Sequence, residues 1–175
     1  MIIKTISKDL LQAFEEMQFD AIAHGCNCFH TMGAGVAGAI ARRFPRALES
    51  DKLYTSYGDK DKLGEYTLVI TDFGDIINGY TQFQLGKCPT DELYSNIRKL
   101  FTSLNIDYVG ETIGIPRIGS GIAGGSWSEI EKIINETTPD VNIIVCVQPE
   151  QVISQVNVAD VRPQLRQDID ESSPE

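Results

Sequence analysis

Residues 19–45, FDAIAHGCNCFHTMGAGVAGAIARRFP, constrain this chain more than any other stretch. The segment opens with an apolar run rich in small and β-branched residues, Phe19 to His24, which reads as a buried strand. It then crosses a polar loop containing glycine and enters, near Gly35, a helix of small side chains that can lie very close to a sheet or a ligand. Pro45 ends or kinks that helix. Loop glycines let the backbone approach a ligand, and the unpaired N–H groups of a first helical turn point at negative charge. The segment therefore predicts an anion site, with the phosphates of a nucleotide-like small molecule as the anion.

A second unit of the same kind follows. Thr112 to Ile118 is an apolar strand that runs into GSGIAGG at residues 119–125, and a helix begins near Ser126. Ser126 and Glu129 have the spacing of a capping box, and Trp127, Ile130, Ile133 and Ile134 form the apolar stripe. Both loops are expected at the carboxyl ends of strands, where α/β sheets bind ligands, so the two can close on one molecule from opposite sides.

The remaining elements settle the class. Ile2 to Ile6 reads as a strand, and Leu10, Phe14 and Met17 mark one face of a short helix that Asp9 can cap. A polar helix is expected over 46–57. Residues 64–73 and 75–85 read as a hairpin of two strands turning at Gly74. Leu93, Ile97, Leu100, Phe101 and Leu104 line one side of an amphipathic helix, and Val141 to Val147 is the last central strand. Strands alternating with helices predict one α/β domain over residues 1–150, a three-layer α/β/α fold. Its central sheet is mixed because the middle hairpin is antiparallel. Residues 151–175 read as a C-terminal arm and an acidic, partly disordered tail.

A formal charge of -10 argues against a nucleic-acid polymer as a general partner, while leaving room for one small anion. No targeting segment or run of 18 apolar residues occurs, so a cytoplasmic location is expected, without a membrane partner. Cys26 and Cys28 lie close together but no second Cys/His pair completes a tetrahedral site. His24 and His30 could join them, yet reduced cysteines serving as small apolar residues are the preferred reading. Neither a metal nor a cofactor is expected. The phosphate-loop pattern GxxxxGK[ST] is absent. Residues 33–38 match the letters GxGxxG, but no acidic residue about twenty positions on ends a second strand, which leaves a nicotinamide enzyme a weak alternative.

His24-Gly25-Cys26-Asn27-Cys28, Met32 to Ala37, Phe44-Pro45, Pro116 to Gly121 and Trp127 together resemble a macrodomain over roughly residues 1 to 148. They are most similar to the branch holding ADP-ribose 1''-phosphate phosphatases and terminal ADP-ribosyl-glutamate hydrolases. The resemblance implies a small-molecule ligand, ADP-ribose or its 1''-phosphate, and a monomer or weak oligomer. Asp9 would accept a hydrogen bond from the adenine amino group, and Asn27 would hold hydroxyls of the distal ribose. Met32, Gly33, Ala34, Gly35 and Val36 would surround the distal ribose and diphosphate. The second diphosphate loop would be Gly119, Ser120, Gly121, Ile122, Ala123 and Gly124, closing with Gly125. His24 stands where the phosphatase branch has a histidine able to act as nucleophile or general acid/base; a histidine packed beneath the loop is the competing reading. The glutamate hydrolases use a lysine and an aspartate. Lys87 approximates the lysine, although exposed loop lysines are common, and the aspartate is missing from residues 122–125. The implied activity is therefore dephosphorylation of ADP-ribose 1''-phosphate, with an ADP-ribosyl hydrolase or a non-catalytic binder as alternatives.

Overall fold

A computed structural model describes residues 1–149. Six strands form one sheet: β1 (Ile2–Ser7), β2 (Ala21–Cys26), β3 (Tyr66–Thr71), β4 (Gly74–Tyr80), β5 (Thr112–Ile115) and β6 (Asn142–Val147). Their order is β1-β6-β5-β2-β4-β3, and every neighbouring pair is parallel except β3 with β4. The mixed sheet thus follows from the hairpin, as expected. Helices are α1 (Leu10–Glu15), α2 (Gly35–Arg43), α3 (Arg46–Tyr54), α4 (Thr90–Asp107) and α5 (Trp127–Thr137), with a 3₁₀ turn at Lys60–Lys62. The arm and tail expected over 151–175 lie outside the described residues.

Period-two alternation sorts the core onto two faces. Ala21 and Ala23 of β2, Ile77 of β4, Ile113 and Ile115 of β5, and Ile143 and Val145 of β6 pack with Leu93, Ile97, Leu100, Phe101 and Leu104 of α4 and with Ile130 and Ile134 of α5. Their even-numbered neighbours Ile22, Ile76, Ile144 and Cys146 pack on the opposite face, against Leu10, Phe14, Ile40 and Ala47. Helices cover both faces, so central strands read as unbroken apolar runs.

Several local expectations shift. α1 stops at Glu15, and Met17 adopts a left-handed φ of 58° with its side chain in solvent rather than on the buried face. α3 ends at Tyr54, three residues early. The hairpin is shorter than its β-branched composition suggests: β4 ends at Tyr80, and residues 81–85 leave the sheet for a loop. Ser126 caps α5 in backbone only; its hydroxyl lies 3.0 Å from Ser128 Oγ and makes no cap, so the predicted capping box does not form.

Candidate functional site

The two glycine loops do face each other. A cleft of about 690 Å³ is lined by Gly33, Ala34, Gly35, Val36 and Ala37 from the first loop, and by Gly119, Ser120, Gly121, Ile122 and Ala123 from the second. Its floor is the end of β2, His24 to Asn27. Thr31, Thr81, Gln82 and Leu85 complete one rim, and Cys146, Val147 and Gln148 close the far end.

Local chemistry shapes the first loop. Ala34 precedes α2 and has no side chain able to cap it, so the first-turn amides have no partner among the described residues. Gly38 lets the loop fold back on its own helix: a Cβ there would stand 2.9 Å from the carbonyl carbon of Gly33. In the second loop Gly119 has φ +76°, and a side chain would strike Ile97 and Ile130. The amides of Gly121, Ile122 and Ala123, which line the cleft, have no backbone acceptor among the described residues. The start of α5 does not line the cleft, contrary to expectation; the turn at 121–123 supplies the donors instead. Two clusters of free N–H groups around one cavity can hold a diphosphate without an array of arginines.

His24 lies on the α3 side of the sheet and is 1% exposed. Strand register sets its partners: His24 pairs with Asn78 of β4, and Asn78 pairs with Thr67 of β3, placing the three residues in a row. His24 Nε2 lies 2.8 Å from Asn78 Oδ1. Asn78 Nδ2 donates to Ala47 O at 2.9 Å and to Thr67 Oγ1 at 3.1 Å. The row continues through Thr67 Oγ1 to Tyr80 OH, 2.9 Å, and from Tyr80 OH to Asp51 Oδ1, 2.7 Å. Asp51 is buried and pairs with Lys62 Nζ at 3.4 Å; Lys62 also lies 4.6 Å from the centre of the Tyr80 ring. Burial pushes the His24 pKa down to about 4, opposed by Asn78 and Asp51, so the ring is neutral near pH 7.

The other predicted residues separate into groups. Asn27 is buried in the floor, donating to Thr31 Oγ1 at 2.6 Å and accepting from Phe29 N at 2.8 Å; it pins the loop while bordering the cleft. Asp9 does cap α1, with Oδ1 accepting from Gln12 N at 2.9 Å. It does not line the cleft: Oδ2 accepts from Gln148 Nε2 at 2.6 Å, and Gln148 is the group at the cavity wall. Met32 turns inward against Cys26 and Tyr80 and contributes no side chain to the cleft. Gly124 and Lys87 also fall outside the lining; Lys87 is exposed, its stem 3.5 Å from where a Gly124 Cβ would stand. Burial raises the thiol pKa of Cys26 well above its usual value and that of Cys28 to about 11, which removes both as ready nucleophiles. Among the described residues no cluster of three His, Cys, Asp or Glu could hold a metal ion.

Arg117 and Gln82 line the cleft and were not singled out from sequence. Arg117 is its one lysine or arginine among the described residues. Its place between Pro116 and the second glycine loop was the available signal, since a cation beside such a loop suits an anion. Gln82 was hidden because residues 75–85 read as one strand.

The family model described as Macro domain matches residues 23–134. This chain belongs to that family. It is 42% identical over 153 residues to a 17.5 kDa protein from the tk-vs intergenic region of Enterobacteria phage T4, covering 83% of this macrodomain and 96% of the phage protein. The ADP-ribose 1''-phosphate phosphatase of Saccharomyces cerevisiae is 30% identical over 156 residues, covering 71% and 87% of the two chains. A DNA ADP-ribosyl glycohydrolase of Mycobacterium bovis is 27% identical over 156 residues, covering 79% of this chain but 40% of that protein. Among solved structures, the macrodomain of Thermus aquaticus DarG superposes with a TM-score of 0.67 at 20% identity, covering 84% of this chain and 98% of the other. That likeness fits the sheet order and the helices on both faces. No helix among the described residues is long and apolar enough to cross a membrane.

Proposed function

We propose that this macrodomain binds ADP-ribose in the cleft and removes the phosphate from ADP-ribose 1''-phosphate. One observation carries the reading: two loops of free main-chain amides close on a single cavity whose floor holds a neutral histidine. The amides at 33–36 and 121–123 hold the pyrophosphate, and Arg117 adds a cation. Gln148, held by Asp9, meets the adenine end. Asn27 and Thr31 meet the distal ribose, which sets the 1''-phosphate over His24.

In the reaction a water oxygen bonds to phosphorus and the bond from phosphorus to the 1''-oxygen breaks. His24, unprotonated at neutral pH, takes the water proton and returns it to the departing 1''-oxygen. The negatively charged 1''-phosphate of the substrate raises the imidazole pKa as it binds, which makes the ring a better base in the complex than in the free protein. The hydrolase alternative, suggested by the glycohydrolase relative, lacks a carboxylate in the second loop and has Lys87 outside the cavity.

The decisive experiment offers ADP-ribose 1''-phosphate, an ADP-ribosylated protein and an ADP-ribosylated DNA oligonucleotide to wild type, His24→Ala and Lys87→Ala. Phosphate release from the first substrate is expected. It should fall by about a hundredfold or more in His24→Ala while ADP-ribose affinity survives, and stay near wild type in Lys87→Ala. Release of ADP-ribose from either polymer, with no phosphate release, selects the hydrolase. Absence of binding at millimolar ADP-ribose rejects the assignment altogether.

A further inference from the structure

The polar row beneath the cleft has a direction. Asp51 at one end is a carboxylate with Lys62 beside it, and a carboxylate only accepts hydrogen bonds. Tyr80 OH must therefore donate to it, which leaves the phenol oxygen to accept from Thr67 OH. Thr67 Oγ1, having given its proton to Tyr80, accepts from Asn78 Nδ2. That amide nitrogen also donates to Ala47 O, so the orientation of Asn78 is set by two separate acceptors. Its carbonyl oxygen then faces His24 Nε2 and can only accept.

From this geometry we infer that Asn78 is a positioning residue, which holds His24 as the tautomer protonated on Nε2 and leaves Nδ1 as the ring's only basic nitrogen. The row His24, Asn78, Thr67, Tyr80, Asp51 is a one-way chain of donors, and the buried ion pair Asp51–Lys62 anchors its polarity. This explains why a polar asparagine, fully buried, stands on the same face of β4 as Ile76 and Tyr80. It also gives a site-directed purpose to a desolvated Asp–Lys pair, which by itself is weak evidence for stability. The titratable groups that act on the ring are Cys26 on β2, by contact, and Asp51 on α3, by its charge. Cys26 Sγ lies 3.7 Å from both ring nitrogens.

The catalytic consequence rests on His24 being the base, so the test has one arm that does not. In the free wild-type protein, nitrogen-15 NMR of the His24 ring should show a protonated Nε2 and a bare Nδ1. Finding the opposite tautomer overturns the inference whatever the enzyme does. Asn78→Leu removes the acceptor. With ADP-ribose affinity intact, its kcat for ADP-ribose 1''-phosphate should fall about tenfold to a hundredfold with KM little changed, and the NMR signals should report mixed tautomers. Tyr80→Phe, a milder change, cuts the chain at the carboxylate and should give the same effects in smaller measure. Asn78→Asp restores an acceptor for Nε2–H and should recover the tautomer, with the acid limb of the pH–rate profile moved to higher pH. A single wild-type tautomer retained in folded Asn78→Leu, or kcat within twofold of wild type, would sink the proposal.

Discussion

His24 is a histidine that the fold keeps uncharged. Its pKa lies near 4 when folded, against about 6.5 in an unfolded chain, because burial disfavours the imidazolium more than Asn78 and Asp51 favour it. The unfolded state therefore binds the extra proton first as pH falls. Stability is whole above pH 6.5, declines between 6.5 and 4, and declines no further on this account below 4. The loss approaches ~3 kcal/mol at the bottom of that window. Urea unfolding at pH 7.5, 5.5 and 4.5 should show the decline in wild type and a shallower one in His24→Gln; parallel curves would contradict it. At this scale the sequence was informative where a residue stands at the end of an apolar run, as His24 and Asn27 do. It was uninformative for Lys87, because a loop lysine's reach depends on how the loop turns.

At the scale of elements, the site is two strand ends, each followed by a turn, and the first turn is pressed against its own helix. Gly38 makes that contact possible, and it supplies a case where two effects compete. Alanine in a helix interior normally stabilises by about 1 kcal/mol over glycine. Here the new Cβ would lie 2.9 Å from the Gly33 backbone, which cannot rotate away as a side chain would, so the loop must move. Displacement should win: Gly38→Ala is expected to lose about tenfold in ADP-ribose affinity by calorimetry, without the rise in Tm that helix propensity alone would give. Tm rising with affinity unchanged would show that the loop is free to yield. The paired loops were legible from Gly33 to Gly38 and from Gly119 to Gly125, but their division of labour was not. The second loop uses the turn at 121–123 rather than the start of α5, since left-handed Gly119 and Gly124 and the bond from Gly125 N to Gly119 O close the loop before that helix begins.

On the scale of the molecule, helices on both faces make the sheet the centre of two cores, and exposure alone separates costly from harmless substitutions. Leu100 of α4 is fully buried, whereas Leu53 of α3 is 74% exposed. Urea titration should show Leu100→Ala losing about 2–5 kcal/mol and Leu53→Ala less than about 0.5 kcal/mol. Equal losses would mean that the α4 face is not a core. The sequence by itself determined the fold class, the alternation of elements and the two glycine turns, because apolar period and turn chemistry are local properties of consecutive residues. Only the tertiary structure decided which residues share a cavity and which share a buried row. Asp51 lies in the helix expected over 46–57 and Tyr80 in the strand expected over 75–85, and neither position nor Lys62 stands out in the sequence. They meet under the cleft because strand register and the packing of α3 bring together residues far apart in the chain, and no local pattern encodes that meeting.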